Sequence, residues 1–204
     1  MLKLSGGMVL AGVLLLSGGA AWAEGKADLA RAEEIVAGRC FLCHGMEGES
    51  SSPLFPRLAG QHAKYMAKQL EDFKSGKRRS DTMKSQAEDL TSDEMLALGR
   101  YFESRRPQPH EPGDPELAGV GRYIFQKGNS FSGVASCVSC HGPKGYGTPL
   151  LPRLAGQHPE YIAAQLQQFN KRERTNDNAV MHAIASRLTE LEIKAVAEYI
   201  GSLE

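Results

Sequence analysis

The sequence predicts an all-α protein made of two tandem copies of one helical unit. Three observations lead there. The chain aligns with itself: PLFPRLAGQH, Pro53 to His62, returns as PLLPRLAGQH, Pro149 to His158, with one difference in ten positions. Apolar residues recur at helical spacing, and strand signals are weak throughout. All four cysteines fall in two copies of one motif, CFLCHG from Cys40 and CVSCHG from Cys137. The offset between copies is 97 residues at the cysteines, 96 at PRLAGQH and 98 at Met83 and Met181, so the reading is one duplicated unit with short insertions.

The first 23 residues stand apart from this frame. Lys3, an apolar run from Met8 to Leu16 and the small residues around Ala21-Trp22-Ala23 form the layout of a cleavable secretory signal, too short in its apolar part for a comfortable membrane span. Residues 1–23 are therefore read as a leader. Removing 23 residues from 204 leaves 181, enough for one ordinary domain or two small ones. Without Lys3 the count is 23 basic against 24 acidic side chains, which excludes the basic footprint of a nucleic-acid binder.

Each unit then reads as the same series of elements. A first helix is expected over residues 27–39 and again over 115–127, just ahead of each CXXCH. PRLAGQ follows as a loop, and a second helix carries Tyr65, Leu70 and Phe73, or Tyr161, Leu166 and Phe169, near one face. Met83 and Met181 sit in polar loops, and a last helix opens on a capping box, Thr91 to Glu94 and Thr189 to Glu192. The basic runs Lys74 to Arg79 and Lys171 to Arg174 read as solvated helix ends, with a partner-docking patch as the alternative. Between the units, RRPQPHEPGDPE contains four prolines and no apolar periodicity. It is a stiff linker, placed at 107–114 between domains at 24–106 and 115–204.

The chemistry lies in CXXCH. On a helical turn, cysteines at i and i+3 and a histidine at i+4 share a face. Two thiols are then placed to form thioethers to one haem while the imidazole reaches the iron, and in an exported chain this motif reads as c-type haem attachment. A four-cysteine zinc site would staple the repeats and leave both histidines without a role. A thioredoxin-like dithiol expects an α/β frame that is absent, and two disulfides explain neither histidine nor repetition. A unit of about 90 residues with a few short helices also buries little apolar surface, and a large planar cofactor would supply the missing core.

A sixth iron ligand is sought among the methionines. Only Met83 and Met181 occupy matching places, 39 and 40 residues after His44 and His141. His182 competes for the second iron, but the first copy has Lys84 at that place, which favours Met181.

With both CXXCH motifs, both PRLAGQ segments, both loop methionines and the closing helices in view, the mature chain resembles the dihaem cytochromes c of the cytochrome c4 type. That resemblance implies two class I cytochrome c domains, each wrapped around a haem c held by Cys40 and Cys43 or by Cys137 and Cys140. It implies axial pairs His44/Met83 and His141/Met181. It further implies that the carbonyls of Pro56 and Pro152 orient the histidines, that Leu58 and Leu154 pack on the rings, and that Arg57, Gln61, Arg153 and Gln157 contact propionates. His62 and His158 are read as loop or N-cap residues.

The resemblance implies a periplasmic electron carrier taking electrons from a respiratory reductase and delivering them to a terminal oxidase, with peripheral membrane association left open. Filled axial positions make a wire rather than a reactor, and thioether sulfur raises the potential relative to a second imidazole. Glu47 and Glu49 beside the first motif, against Lys144 beside the second, give the first haem the lower expected potential. Two other functions are carried: a dihaem peroxidase, which needs an iron that opens, and a haem subunit of a dehydrogenase such as a flavocytochrome.

Overall fold

A computed structural model describes residues 28–108 and 110–204, so the leader read over residues 1–23 lies outside the described residues. Helix α1 covers residues 28–35 and passes without a break into a π-helical stretch, Val36–Cys40, and then into α2, Phe41–His44. At the junction the Phe41 N–H bonds to the carbonyl of Val36, five residues back. Such a widened turn shifts the side chains that follow it around the helix axis, and it falls on the first cysteine. Gly45, with φ of 73°, ends the helix directly after the histidine.

Helix α3 (Ala63–Lys74) buries Met66 and Phe73, and α4 (Asp81–Ala87) is capped by Ser80, whose side chain accepts the Met83 N–H. Helix α5 (Ser92–Glu103) opens on the capping box expected from Thr91 and Glu94 and buries Met95, Leu98, Tyr101 and Phe102. The second half repeats the series. Helix α6 (Pro115–Lys127) starts on an Asp114 cap with proline in its first turn, and α7 (Val138–His141) carries the second motif. Then come α8 (Pro159–Asn170), α9 (Val180–Ala185) and α10 (Glu190–Gly201), the last with its own capping box at Thr189 and Glu192. No strand occurs among the described residues, only two isolated bridges, Asn129 with Val134 and Thr148 with Leu151.

Each half has its own apolar core. In the first, α3 packs on α5; in the second, α10 packs on α6 and α8. The close crossing of α6 and α10 depends on Gly121, where a Cβ would lie 1.8 Å from the carbonyl oxygen of Ala195. Among the described residues no helix is long and apolar enough to cross a membrane.

Two expectations are corrected. Met83 and Met181, expected in polar loops, lie on the short helices α4 and α9. The first helix of the second copy, by contrast, ends where the sequence places it. It stops at Lys127, and residues Gly128 to Ser136 form a loop closed by reciprocal Asn129 and Val134 backbone bonds of 2.9 Å. Gly128 is the reason: its φ is 72°, and a Cβ there would meet the Val134 oxygen at 2.1 Å. The basic runs are also not simply solvated. Arg78 and Arg174 are 9% and 7% exposed, each stacked on a phenylalanine of its own half, with Cζ 4.5 Å from the Phe73 centroid and 4.6 Å from that of Phe169. Their neighbours Arg79 and Arg172 stay in solvent.

Two glycines of α6 test this packing. Gly121→Ala should destabilise the haem-loaded protein by about 1–3 kcal/mol, as overpacking does. Gly119→Ala, where a Cβ meets nothing within 4 Å, should stabilise it by about 0.5–1 kcal/mol. Denaturant midpoints of the two variants against the parent check both signs.

Candidate functional site

Each CXXCH turn places its histidine inward. His44 and His141 are both 7% exposed, while the cysteines beside them remain more open. His44 Nδ1 lies 2.9 Å from the carbonyl oxygen of Pro56, and His141 Nδ1 lies 3.2 Å from that of Pro152. A carbonyl only accepts, so each Nδ1 carries the proton and each Nε2 keeps its lone pair. Burial pushes both imidazoles below their ordinary pKa, against the opposing effect of the proline carbonyl. The rings are therefore neutral and tautomer-locked, the form in which imidazole binds a metal.

No disulfide joins the four cysteines. Burial raises the Cys40 thiol and pushes that of Cys137 up to about 11. Among the described residues no group of three or more histidine, cysteine, aspartate or glutamate side chains could hold a metal ion. The zinc alternative has no support here.

Matching apolar residues recur in the two cores. Cys40, Leu58 and Met83 line one core, and Cys137, Leu154 and Met181 the other, all of them partly buried. A neutral Nε2, two free thiols on one turn, a leucine and a methionine facing one apolar cluster fit a haem in each half. His182, the other candidate at the second centre, has its Nδ1 2.9 Å from the carbonyl oxygen of Phe169.

The residues expected near propionates meet at a seam between the halves. Gln157 accepts the Arg57 N–H at 2.8 Å and donates to the Arg57 carbonyl at 2.9 Å. Gln61 does the same with Arg153, at 2.8 and 2.9 Å. Both glutamine amides are thus taken up by the backbone of the opposite half. Arg57 Nε lies 3.4 Å from a Glu49 carboxylate oxygen, whereas Arg153 Nε is buried without a hydrogen-bond partner, and both arginines line a small cavity on this seam. The unpartnered Arg153 donor suits an anionic group of a bound cofactor.

His62 and His158 occupy the N-cap positions of α3 and α8, but their side chains do not cap. They cross the seam instead, His62 Nε2 to the Tyr146 carbonyl at 2.7 Å and His158 Nε2 to that of Ser50 at 2.8 Å.

A second cross-seam cluster lies outside the sequence reading. Arg78 donates to Gln69 of its own half and to Tyr161 and Gln165 of the other, all at 2.8 to 2.9 Å. Arg174 mirrors it, reaching Gln165 at 2.7 Å, Tyr65 at 3.1 Å and Gln69 at 3.0 Å. Burial pushes the Tyr161 phenol up, but Arg78 and Arg174 outweigh it and draw it below its ordinary value. The available signal was the repetition itself: Tyr65, Gln69 and Arg78 recur as Tyr161, Gln165 and Arg174 at the same offset of 96.

His158 makes this seam sensitive to pH. Burial, then the Arg57 charge, lowers its pKa, although the Ser50 carbonyl opposes them. Below the unfolded value of about 6.5 the unfolded chain takes a proton that the folded chain resists, so stability falls as pH drops through that value and is flat above it. Unfolding midpoints of the haem-loaded protein at pH 7.5 and 5.5 should show this loss, and His158→Gln, which keeps a donor to Ser50, should reduce it.

Comparison with known proteins agrees with this geometry. The Cytochrome c family profile matches residues 29–104 and 125–204. Cytochrome c4 of Thiocapsa roseopersicina is 42% identical over 172 residues, covering 81% of this chain and 88% of that protein. A thiosulfate dehydrogenase electron acceptor of Stutzerimonas stutzeri is 38% identical over 202 residues, covering 95% and 94%. The crystal structure of reduced recombinant cytochrome c4 from Pseudomonas stutzeri superposes with a TM-score of 0.81 at 34% identity, covering 88% of this chain and 98% of that one. Two matched domains, two haem-attachment motifs and relatives of this kind make the chain a member of the cytochrome c family, of the two-domain cytochrome c4 type, with two covalently bound haem c groups.

Proposed function

We propose that this dihaem cytochrome is a periplasmic electron carrier of a bacterial respiratory chain that delivers to a terminal oxidase, with His44 and Met83 as axial ligands in the first domain and His141 and Met181 in the second. The domains take residues 24–106 and 115–204, with the linker at 107–114. The carrying observation is that Met83 and Met181 each share an apolar cluster with the first cysteine and the leucine of their own half.

When bound, the haem supplies a one-electron iron couple. The chain's own residues do the rest. His44 and His141 present Nε2 lone pairs held by the proline carbonyls. Cys40, Cys43, Cys137 and Cys140 would supply thiols for the covalent links, and the Met83 and Met181 sulfurs would hold the irons and exclude water and peroxide. Leu58 and Leu154 pack in the same cores as the methionines. The seam joins the domains through Arg57, Gln61, Arg153 and Gln157, which suits passage of an electron from one domain to the other.

A second reading has its own observation in the thiosulfate dehydrogenase electron acceptor that the chain resembles over almost its whole length. In that reading the electron arrives from a dehydrogenase rather than from a respiratory reductase. Reduction of the oxidised protein by a thiosulfate-oxidising enzyme, against its oxidation when reduced by a haem–copper oxidase, separates donor from acceptor roles. Rates that fall with salt would mark a charged docking face.

Spectra test the ligand assignment. Pyridine haemochrome should return two haems per chain. Met83→Ala and Met181→Ala should each remove about half of the far-red absorption of the ferric protein and lower the potential of the altered centre. Either methionine is not a ligand if its variant keeps the full band.

The first centre should have the lower potential. Glu47 and Glu49 are ion-paired, at 3.4 Å to Arg105 and 3.4 Å to Arg57, which weakens their field. Exposed charges contribute at most about 1 kcal/mol, and about 59 mV corresponds to about 1.4 kcal/mol for one electron, so the gap from this source is a few tens of millivolts. Site-assigned redox titration with the second centre lower would refute the order.

A further inference from the structure

The segments that lead into the two methionine helices are built differently. In the first, the Met83 N–H donates to Ser80 Oγ at 3.3 Å, and the left-handed position ahead of it is a glycine, Gly76. In the second, Asp177 gathers three amides at once. Its Oδ2 accepts the N–H of Met181 at 2.6 Å and of His182 at 3.2 Å, while Oδ1 accepts that of Ala179 at 3.2 Å. To reach them the chain places two residues with a Cβ in the left-handed region, Asn178 at φ 56° and Ala179 at φ 66°, a conformation that costs energy outside glycine. His182 anchors the far side of the segment through its bond to the Phe169 carbonyl, whereas the matching Lys84 is exposed.

We infer that Asp177 is a positioning residue for the second centre: its carboxylate clamps the Met181 segment, so that Met181 yields to a competing ligand less readily than Met83. Carboxylate-to-amide hydrogen bonds are charge-assisted and stronger than the neutral hydroxyl contact at Ser80. An anionic acceptor holding three nearby amides resists lifting the methionine away, because all three donors would lose their partner together. The first domain then carries the centre that opens, and the second the centre that stays closed. This inference rests on the axial assignment proposed above.

The test uses the intact dihaem protein, oxidised, at one fixed neutral pH, titrated with imidazole. Loss of each methionine is followed at its own centre by the resonances of the two methionine methyl groups and by the far-red absorption. The first centre of the parent protein should bind imidazole about tenfold more tightly than the second, a difference equivalent to about 1.4 kcal/mol. Asp177→Ala should tighten imidazole binding about tenfold at the second centre and change it less than twofold at the first, and Asp177→Asn, which keeps one acceptor oxygen, should fall between. A uniformly destabilising change would move both centres, so the ratio separates positioning from a general structural effect. Equal or tighter binding at the second centre of the parent, or an unchanged second centre in Asp177→Ala, overturns the inference while leaving the axial assignment intact. The parent titration decides the matter if the variants fail to load haem. Absence of methionine-specific signals from the parent would overturn the assignment and this inference together.

Discussion

The hydrogen bond between His44 Nδ1 and the Pro56 carbonyl, repeated between His141 and Pro152, is the contact on which the rest is arranged. It fixes the imidazole tautomer and so leaves the Nε2 lone pair free for a metal. It also fixes the chain segment that follows the proline. In each half that segment turns away from the histidine and offers the next residue's backbone, Arg57 or Arg153, to a glutamine of the other half. One short loop therefore serves the cofactor on one side and the neighbouring domain on the other. A shift in either is felt by both.

The seam resembles an isologous interface inside one chain, with its glutamine, histidine and arginine–tyrosine contacts answered by counterparts. Gln61 to Arg153 mirrors Gln157 to Arg57, and Arg78 to Tyr161 mirrors Arg174 to Tyr65. Two guanidinium groups are buried there, and uncompensated buried charge is costly. The structure reduces that cost with the phenylalanine faces beneath each arginine, the carbonyl oxygens of Gln69 and Gln165, and the carboxylate of Asp72, which accepts from Asn176 Nδ2 at 2.7 Å and from Lys68. The linker is held to the same body: the amides of Gly113 and Asp114 donate to Glu198, at 3.0 and 3.3 Å, and that of Gln108 to Glu49 at 3.1 Å. Its geometry is set by these contacts as well as by its prolines.

Duplication did not leave the halves equivalent. The first motif is entered through a continuous helix with a π turn, the second through a loop pinned by Arg187 to the Gly133 carbonyl and by Asn129 to Glu192, both at 2.7 Å. Local differences ahead of the methionine helices follow the same pattern, with hydroxyl capping in one and carboxylate capping in the other. Electron transfer between two centres gains direction from unequal surroundings, and these are the places where the surroundings differ.

Much of the site was legible in the sequence because its parts are local. CXXCH sets two thiols and an imidazole on one helical turn whatever lies around it, both capping boxes are complete within four residues, and a matched pair of methionines stands out against unmatched ones. The seam was not legible in the same way. Gln61 and Gln157 read as cofactor contacts, His62 and His158 as loop or cap residues, and Arg78 and Arg174 as part of solvated runs, because each was judged inside its own repeat. Their partners lie about a hundred positions away. The sequence by itself determined the helical class, the duplication and the chemistry of attachment, since these follow from spacing along one turn or from identity between copies. Only the tertiary structure decided which polar residues are buried and which of them join the two halves, because both depend on atoms brought together from distant parts of the chain.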